Sequence, residues 1–196
     1  MLVHGRAAHA GLEPEKGINA LVAAAELVTR IVTFADPVKG TTVTPTVASA
    51  GTVDNVVPAE ARLLVDVRVE QPGEKERVEA LFAQLAATPP SSVPDAQVQV
   101  LGGLNRPPMP PSASAELFPI AVEAAAAAGL PAVHGVGVGG GSDGNFTAAR
   151  GVPTLDGLGA VGEGAHSERE YVLVDALVPR AALVAAIVSR LEALAG

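Results

Sequence analysis

The first half of the chain switches repeatedly between strand-like and helix-like spacing of its apolar residues. Short segments rich in β-branched or alternating apolar residues, as expected of strands, are LVHGR, TTVTPTVASA, ARLLVDVRV and AQVQVLG. Longer segments with apolar residues at helical spacing are INALVAAAELVTRIV and GEKERVEALFAQLAA. Their order along the chain, β-α-β-β-α-β, predicts a ferredoxin-like α+β domain over residues 1–102.

Each of the two predicted helices carries an apolar face that should pack against the sheet. In the first helix this face comprises Ile18, Leu21, Val22, Ala25, Val28, Ile31 and Val32. In the second helix it comprises Val78, Leu81, Phe82 and Leu85.

The strand over residues 41–50 is expected at a sheet edge, because Pro45 has no N–H to donate to a central ladder. The segment TTVTPTVASA contains no charged residue, so nothing in it opposes pairing with the same edge of a second copy. We therefore expect a homodimer through residues 1–102, with the first helix adjoining the interface. Lysines at Val43 and Val47 are expected to shift such a dimer towards monomer.

The pattern changes beyond the proline-rich connector GGLNRPPMPPS. Helices are expected from about Ala115 to Gly129, from about Asp143 to Arg150 and from about Asp175 to Leu194. Strands are expected at PAVHGV and VPTLDGLG. A parallel sheet covered on both faces has more strands than these, so residues 103–196 are predicted to form an incomplete α/β segment.

The composition of the chain excludes several kinds of binding partner and of covalent or metal site. Hydrophobic residues make up 48% of the chain and aromatic residues 3%, so the core must consist of Ala, Val, Leu and Ile. The formal net charge of −8 argues against nucleic acid and against an anionic membrane surface. The absence of cysteine excludes disulfides and thiolate metal sites. The N-terminal residues do not fit a signal peptide and no apolar stretch is long enough to span a bilayer, so a cytoplasmic protein is expected.

His166 lies in the segment GEGAHSEREYV, which surrounds it with glycines and glutamates. It is either a terminal imidazole ligand of a zinc ion or a solvated loop histidine. Zinc takes three or four protein ligands, and His4, His9 and His134 form no His-x-x-x-His or His-x-Asp pattern. The spacing of the histidines alone does not complete a zinc site.

The segment GVGVGGGSDG matches the dinucleotide-binding pattern G-x-G-x-x-G at Gly135, Gly137 and Gly140. The match is weak, because six of these ten residues are glycine and Asp143 would repel a phosphate. Ser142 and Asp143 are better interpreted as caps of the following helix. The glycines would also let backbone N–H groups approach a carboxylate or an oxyanion. Nucleotide binding stays as an alternative function.

Three polar residues in turns or connectors each allow a structural and a functional interpretation. His9 in GRAAHAG is a turn residue or a hydrogen-bond donor to a substrate oxygen. Asn55 in GTVDNVVP is a turn residue or a substrate contact. Arg106 in NRPPM is a solvated cation or a clamp for a carboxylate. None of the three decides a function by itself.

Taken together, five stretches resemble one family. These are GRAAHAGLEPEKGINAL, AGTVDNVVPAEARLLVDVR, NRPPM, GGGSDGNFTA and AHSEREYV. They are similar to the zinc-dependent aminoacylase and glutamate carboxypeptidase family, which includes acetylornithine deacetylase and succinyl-diaminopimelate desuccinylase. They occur in the family's order and cover nearly all of this chain.

The resemblance implies a ferredoxin-like lid and dimerisation domain at residues 1–102. Residues 103–196 would then be the C-terminal part of an α/β catalytic domain that carries two zinc ions. The implied reaction is hydrolysis of the amide bond of N-acyl amino acids or small peptides with a free carboxylate. The family's His-x-Asp and Glu-Glu pairs do not occur in these residues, so this chain alone is expected to be a truncated, inactive form without a bound zinc pair. The alternative is a non-catalytic dimerisation or regulatory module.

The same resemblance assigns roles to individual residues. His166 would be a zinc ligand, and His9 would reach across the dimer to hold the scissile carbonyl oxygen. The implied substrate-binding residues are Asn55, Arg106, Gly140, Gly141 and Ser142, with Arg106 pairing with the substrate carboxylate.

Overall fold

Two units, Met1–Asn105 and Arg106–Gly196, make up the chain. The computed structural model describes the backbone of residues 1–195 and the side chains of residues 1–193. None of the helices among the described residues is long and apolar enough to cross a membrane.

The first unit contains a four-stranded antiparallel sheet and two helices. The elements are β1 (Leu2–His4), α1 (Ala20–Ile31), β2 (Thr42–Ala50), β3 (Glu60–Arg68), α2 (Glu74–Ala87) and β4 (Gln97–Gln99). The strands lie in the order β2-β3-β1-β4, and each neighbouring pair is antiparallel. The element order predicted from the hydrophobic pattern is therefore observed.

Strand β2 lies at one edge of this sheet, as Pro45 predicts. It pairs with β3 from Thr42↔Arg68 to Ala50↔Ala61, and the register shifts between Pro45 and Val47. Proline has no N–H for the ladder, so an irregularity at this point is the expected accommodation. The open side of β2 is left without a neighbouring strand in the described part of the chain.

Helix α1 packs on the sheet through three alanines together with two larger apolar side chains. Its buried residues are Ala20, Ala23, Ala24, Leu27 and Ile31. The predicted face was wrong at Leu21, Val22, Ala25 and Val32, all of which are exposed. Because alanine has a small side chain, the helix axis can approach the sheet closely at the buried alanines. Val43 of β2 is also buried in this core, so a lysine there would disrupt the fold rather than probe an edge.

Helix α2 presents the predicted stripe, with Val78 and Leu85 buried and the Phe82 ring edge-on to Phe34 at 5.4 Å. Its first residue, Glu74, is buried as well. Hydrogen bonds from Arg77 and Thr41, together with Lys39, hold the pKa of Glu74 at about 2. The carboxylate thus joins the start of α2 to the segment that leads into β2.

A second carboxylate ties the connection between α2 and β4 to α1. Glu26 of α1 accepts hydrogen bonds from the backbone N–H groups of Ser91, at 2.9 Å, and Ser92, at 2.8 Å. The backbone bond from Ser92 is the main reason why the pKa of Glu26 falls to about 2.

The second unit contains three helices and a short hairpin. The elements are α3 (Leu117–Ala127), α4 (Gly144–Ala149), β5 (Gly162–Glu163), β6 (Tyr171–Val172) and α5 (Val174–Ala195). Its buried core joins α3 to α5 through Ala121, Ala124, Ala125, Leu183 and Ile187. All three predicted helices are present at the predicted places.

The two strands predicted in this unit are absent. Neither PAVHGV nor VPTLDGLG has a strand partner among the described residues, and both run as extended or irregular backbone. A strand exists only when a neighbour completes its hydrogen-bond ladder, so an apolar, strand-like sequence is not sufficient. Val136 of the first segment is 78% exposed.

Candidate functional site

His9 and Asn55 lie on two facing segments of the first unit. The backbone of His9 forms an isolated antiparallel bridge with Val56. On either side of it, Ala10 N–H donates to the Asn55 carbonyl and Val57 N–H donates to the Ala8 carbonyl, both at 2.9 Å. Both His9 and Asn55 are exposed. The structure therefore brings these two predicted residues together, although their side chains make no hydrogen bond to each other.

The His9 ring is held by the turn that follows it. Its Nδ1 accepts hydrogen bonds from the backbone N–H groups of Gly11 and Leu12, each at 3.1 Å. The His9 carbonyl accepts from Glu13 N–H at 3.3 Å, which closes the same turn.

An open groove of about 630 Å³ lies beside this turn. It is formed by the start of α1 and by the loop that joins β2 to β3. Its lining includes Ala10, Pro14, Asn19, Leu21, Thr52 and Val56. The Oδ1 of Asn19 already caps α1 by accepting from Leu21 and Val22 N–H.

Arg106 is at the centre of a cluster in the second unit. Its guanidinium carbon lies over the Phe146 ring, 4.9 Å from the centroid. Its Nη2 is 3.5 Å from Asp143 Oδ1, and the side chain of Asp143 is 97% exposed. Gly141 lies against the same side chain, since an added Cβ would be 3.1 Å from Arg106 Cδ. Arg106 and Gly141 thus lie close together, whereas an added Cβ at Gly140 would meet nothing within 4 Å.

Ser142 organises the loop that precedes α4. Its Oγ accepts from Gly144 N–H at 3.0 Å and donates to Asp156 Oδ2 at 2.5 Å. Its N–H donates to Asn145 Oδ1 at 2.9 Å, and Asn145 Nδ2 donates to the Pro107 carbonyl at 2.8 Å. The interpretation as a cap therefore holds for Ser142, whereas Asp143, directly before α4, makes no side-chain cap hydrogen bond.

Asn145, Phe146 and Asp156 belong to this cluster and were missed from the sequence. The spacing of Ser142 and Asn145, three apart at the start of a helix, is a signal that identifies Asn145 as part of the cap. Asp156 is 14 residues from Ser142 and carries no local signal. The glycine pattern does not form a dinucleotide site here, because no strand precedes it in the described residues and α4 starts only at Gly144.

His166 lies in the loop of the β5–β6 hairpin. Its backbone is left-handed, with φ of 66°, and its N–H donates to Glu170 Oε2 at 3.2 Å. Ser167 closes the loop, since its N–H and its Oγ both donate to the Gly164 carbonyl. The imidazole is exposed and makes no hydrogen bond to any described residue.

These residues do not fit a zinc site by themselves. Among the described residues, no group of three or more His, Cys, Asp or Glu side chains is placed to hold a metal ion. A single exposed imidazole does not define a tetrahedral site.

The first unit, which contains the antiparallel sheet and its two helices, matches a known domain family. Residues 1–93 match the family model of the peptidase dimerisation domain, so this region belongs to the M20 peptidase dimerisation domains. This match confirms the family resemblance for residues 1–93, which contain two of the five sequence stretches.

Individual relatives extend the similarity beyond this domain. The chain is 33% identical to carboxypeptidase G2 from Pseudomonas sp. (strain RS-16), over 97% of this chain and 46% of the relative. A tripeptidase structure from Staphylococcus aureus is 26% identical with a TM-score of 0.68, over 95% of this chain and 48% of that one. An aminobenzoyl-glutamate utilization protein structure from Klebsiella pneumoniae is 25% identical with a TM-score of 0.58, over 96% and 46% of the two chains. The chain thus spans about half the length of these relatives.

Proposed function

We propose that this chain is the lid and C-terminal catalytic portion of a zinc-dependent exopeptidase or amidohydrolase. Its substrates would be N-acyl amino acids or small peptides with a free carboxylate, cleaved at the amide bond. The observation that carries the proposal is the match to carboxypeptidase G2, which covers 97% of the chain and so runs through both units.

In this proposal residues 1–102 are a ferredoxin-like lid and dimerisation domain. The element order and the strand order β2-β3-β1-β4 support that assignment. Residues 103–196 are an incomplete α/β segment of the catalytic domain. A cytoplasmic location belongs to the same proposal.

Arg106 is proposed to bind the substrate carboxylate. Its contact with the carboxylate of Asp143 is of the kind that a substrate carboxylate would make. The Phe146 ring covers one face of the guanidinium and holds its plane. Gly140, Gly141 and Ser142 would line the same site, with no side chain at either glycine to obstruct a ligand.

His9 and Asn55 are proposed to act on the other end of the substrate. His9 would donate a hydrogen bond to the scissile carbonyl oxygen in the active site of a partner subunit, and Asn55 would contact the substrate beside it. Both side chains are exposed, as a contribution to a second copy requires. The homodimer itself is proposed to form through residues 1–102.

His166 is proposed as one ligand of a zinc ion. It cannot hold the ion alone, because zinc takes three or four protein ligands. We propose that this chain alone is inactive, because no group of side chains placed to hold a metal ion is present among the described residues, and a bound metal would be needed to activate the attacking water.

The experiment is to incubate the purified chain with zinc and a panel of N-acetyl amino acids. We expect no hydrolysis, and fewer than two zinc ions per chain by elemental analysis after dialysis. Turnover that a chelator abolishes would contradict the proposed inactivity. Two retained zinc ions per chain would contradict the expected lack of a zinc pair. Binding of N-acetyl-L-glutamate that Arg106→Gln abolishes would support the proposed substrate class, and the absence of such binding would count against it.

The second candidate is a dimerisation or regulatory module that performs no catalysis. It is favoured by the match of residues 1–93 to a dimerisation domain together with the lack of a metal-ligand cluster in the described residues. This candidate predicts dimer formation without any binding of N-acetyl amino acids at Arg106, so the same titration separates the two.

A further inference from the structure

The hydrogen bonds to the His9 ring determine where its proton lies. A neutral imidazole has one nitrogen that donates and one that accepts. Nδ1 of His9 accepts from the backbone N–H groups of Gly11 and Leu12, each at 3.1 Å, so its lone pair is occupied and it carries no proton. The neutral ring therefore carries its proton on Nε2.

The backbone beneath the ring is fixed by bonds on both sides. The His9–Val56 bridge is flanked by the Ala10 N–H bond to Asn55 and by the Val57 N–H bond to Ala8. The ring takes the place that an Asn or Asp side-chain oxygen takes in a turn that bonds to its own following backbone. Nε2 has no hydrogen-bond partner among the described residues, and the side chain is exposed.

We propose that the Gly11–Leu12 turn is a positioning element that locks His9 as the Nε2–H tautomer. The locked ring presents a hydrogen-bond donor, and never a lone pair, to a ligand oxygen. The role of that oxygen as a scissile carbonyl rests on the proposed function. A developing oxyanion is stabilised by a donor and is repelled by an imidazole lone pair, so a ring free to change tautomer would spend part of its time in the wrong form.

The tautomer can be measured directly in the full chain. Long-range ¹H–¹⁵N correlation spectra at about pH 9, where histidine side chains are neutral, distinguish protonated from unprotonated ring nitrogens. We expect His9 to show only the Nε2–H form. The exposed rings of His134 and His166, which make no hydrogen bond among the described residues, are internal controls that should average between tautomers. His134→Gln and His166→Gln variants assign the control signals.

Two variants of Gly11 separate the hydrogen bond from the shape of the turn. Gly11→Ala keeps the N–H, and its Cβ would lie 3.8 Å from the nearest ring atom, which is ordinary contact. Gly11→Pro removes the N–H and leaves only Leu12 as donor. We expect the alanine variant to keep the pure Nε2–H form and the proline variant to shift His9 towards the averaged signal of the controls.

A wild-type His9 signal that matches the averaged controls, or an Nδ1–H form, overturns the proposal whether or not the proline variant folds. Addition of N-acetyl-L-glutamate separately tests the proposed role of His9 as a donor to a ligand oxygen. A pure Nε2–H form that does not respond to this ligand would leave the positioning role standing and count against the oxyanion role of His9.

Discussion

At the scale of single residues, Glu74 illustrates what a carboxylate requires when it is removed from water. Arg77, Thr41 and Lys39 supply donors to both of its oxygens, with Thr41 Oγ1 at 2.7 Å and Lys39 Nζ at 3.0 Å. In the sequence Glu74 is one acidic residue among several at the start of an amphipathic helix. Its partners Lys39 and Thr41 are 35 and 33 residues away, so no local pattern marks it as buried.

The depressed pKa of Glu74 has a consequence for stability in acid. Its folded-state value of about 2 lies below the ordinary 4.5, so the charged form favours the fold. That stabilisation is present above about pH 4.5 and is lost as the pH falls to about 2. Glu26 has the same sign and the same range.

We predict that Glu74→Gln lowers the melting temperature of the first unit by about 5 °C or more near neutral pH. The amide keeps a hydrogen bond to Thr41 but loses the ion pairs with Lys39 and Arg77. Glu76→Gln, at an exposed position in the same helical turn, is the matched control and should change little. Thermal denaturation followed across pH should show the two variants converging towards pH 2, and a constant difference at every pH would contradict the assignment.

A second prediction concerns Gly141. An alanine Cβ there would lie 3.1 Å from Arg106 Cδ and 3.4 Å from Nη1, so Arg106 must shift. We expect Gly141→Ala to weaken binding of N-acetyl-L-glutamate about tenfold by calorimetry, equivalent to about 1.4 kcal/mol. Gly137→Ala, where the added Cβ meets nothing within 4 Å, is the control. Equal affinities in the two variants would show that Arg106 does not hold the ligand.

At the scale of elements, the position of strand β2 in the sheet is predictable from the sequence, but the exposure of its side chains is not. Its place at the sheet edge follows from Pro45, but which of its valines face solvent does not. The register shift between Pro45 and Val47 leaves Val43 in the core and Val47 50% exposed. The buried face of α1 also differs from the prediction. Helical periodicity places Leu21 and Val22 on that face, whereas three alanines pack there instead, beside Leu27 and Ile31.

These exposures allow a sharper test of the dimer than two lysines in β2 would. Val47→Lys places a charge on the open edge strand without disturbing the core, and we predict that it shifts the homodimer towards monomer. Val38→Lys adds the same charge at a valine that is 90% exposed and outside β2, and should leave the dimer intact. Light scattering at micromolar concentration gives the result, and a monomeric unsubstituted chain would contradict the dimer at once.

At the scale of the whole molecule, the sequence predicts the first unit better than the second. The four-stranded antiparallel sheet of the first unit contains its own pairing partners, so local patterns and global fold agree. In the second unit the strand-like segments find no partner among the described residues, and the prediction of strands therefore failed. The helices were predicted correctly because helical hydrogen bonds lie within one segment.

This difference predicts unequal protection from hydrogen exchange. Amides in residues 130–196 should exchange faster than those in residues 41–102, because the buried core of the second unit consists of five small or medium side chains on α3 and α5. Within that unit the facing turns of α3 and α5 should be the slowest. Mass spectrometry of exchange in the unsubstituted chain would decide, and equal protection of both ranges in a protein shown to be monomeric would contradict the prediction.

The left-handed backbone at His166 determines which residues would stabilise this hairpin. A non-glycine residue with φ of 66° bears a penalty of about 1 kcal/mol that glycine avoids and asparagine reduces. Selection for heat resistance alone would therefore replace the histidine with one of those two residues. Selection for the proposed hydrolase activity would retain the histidine if the imidazole is needed. The residue that a saturation library enriches at this position under each regime would distinguish a chemical requirement from a conformational one.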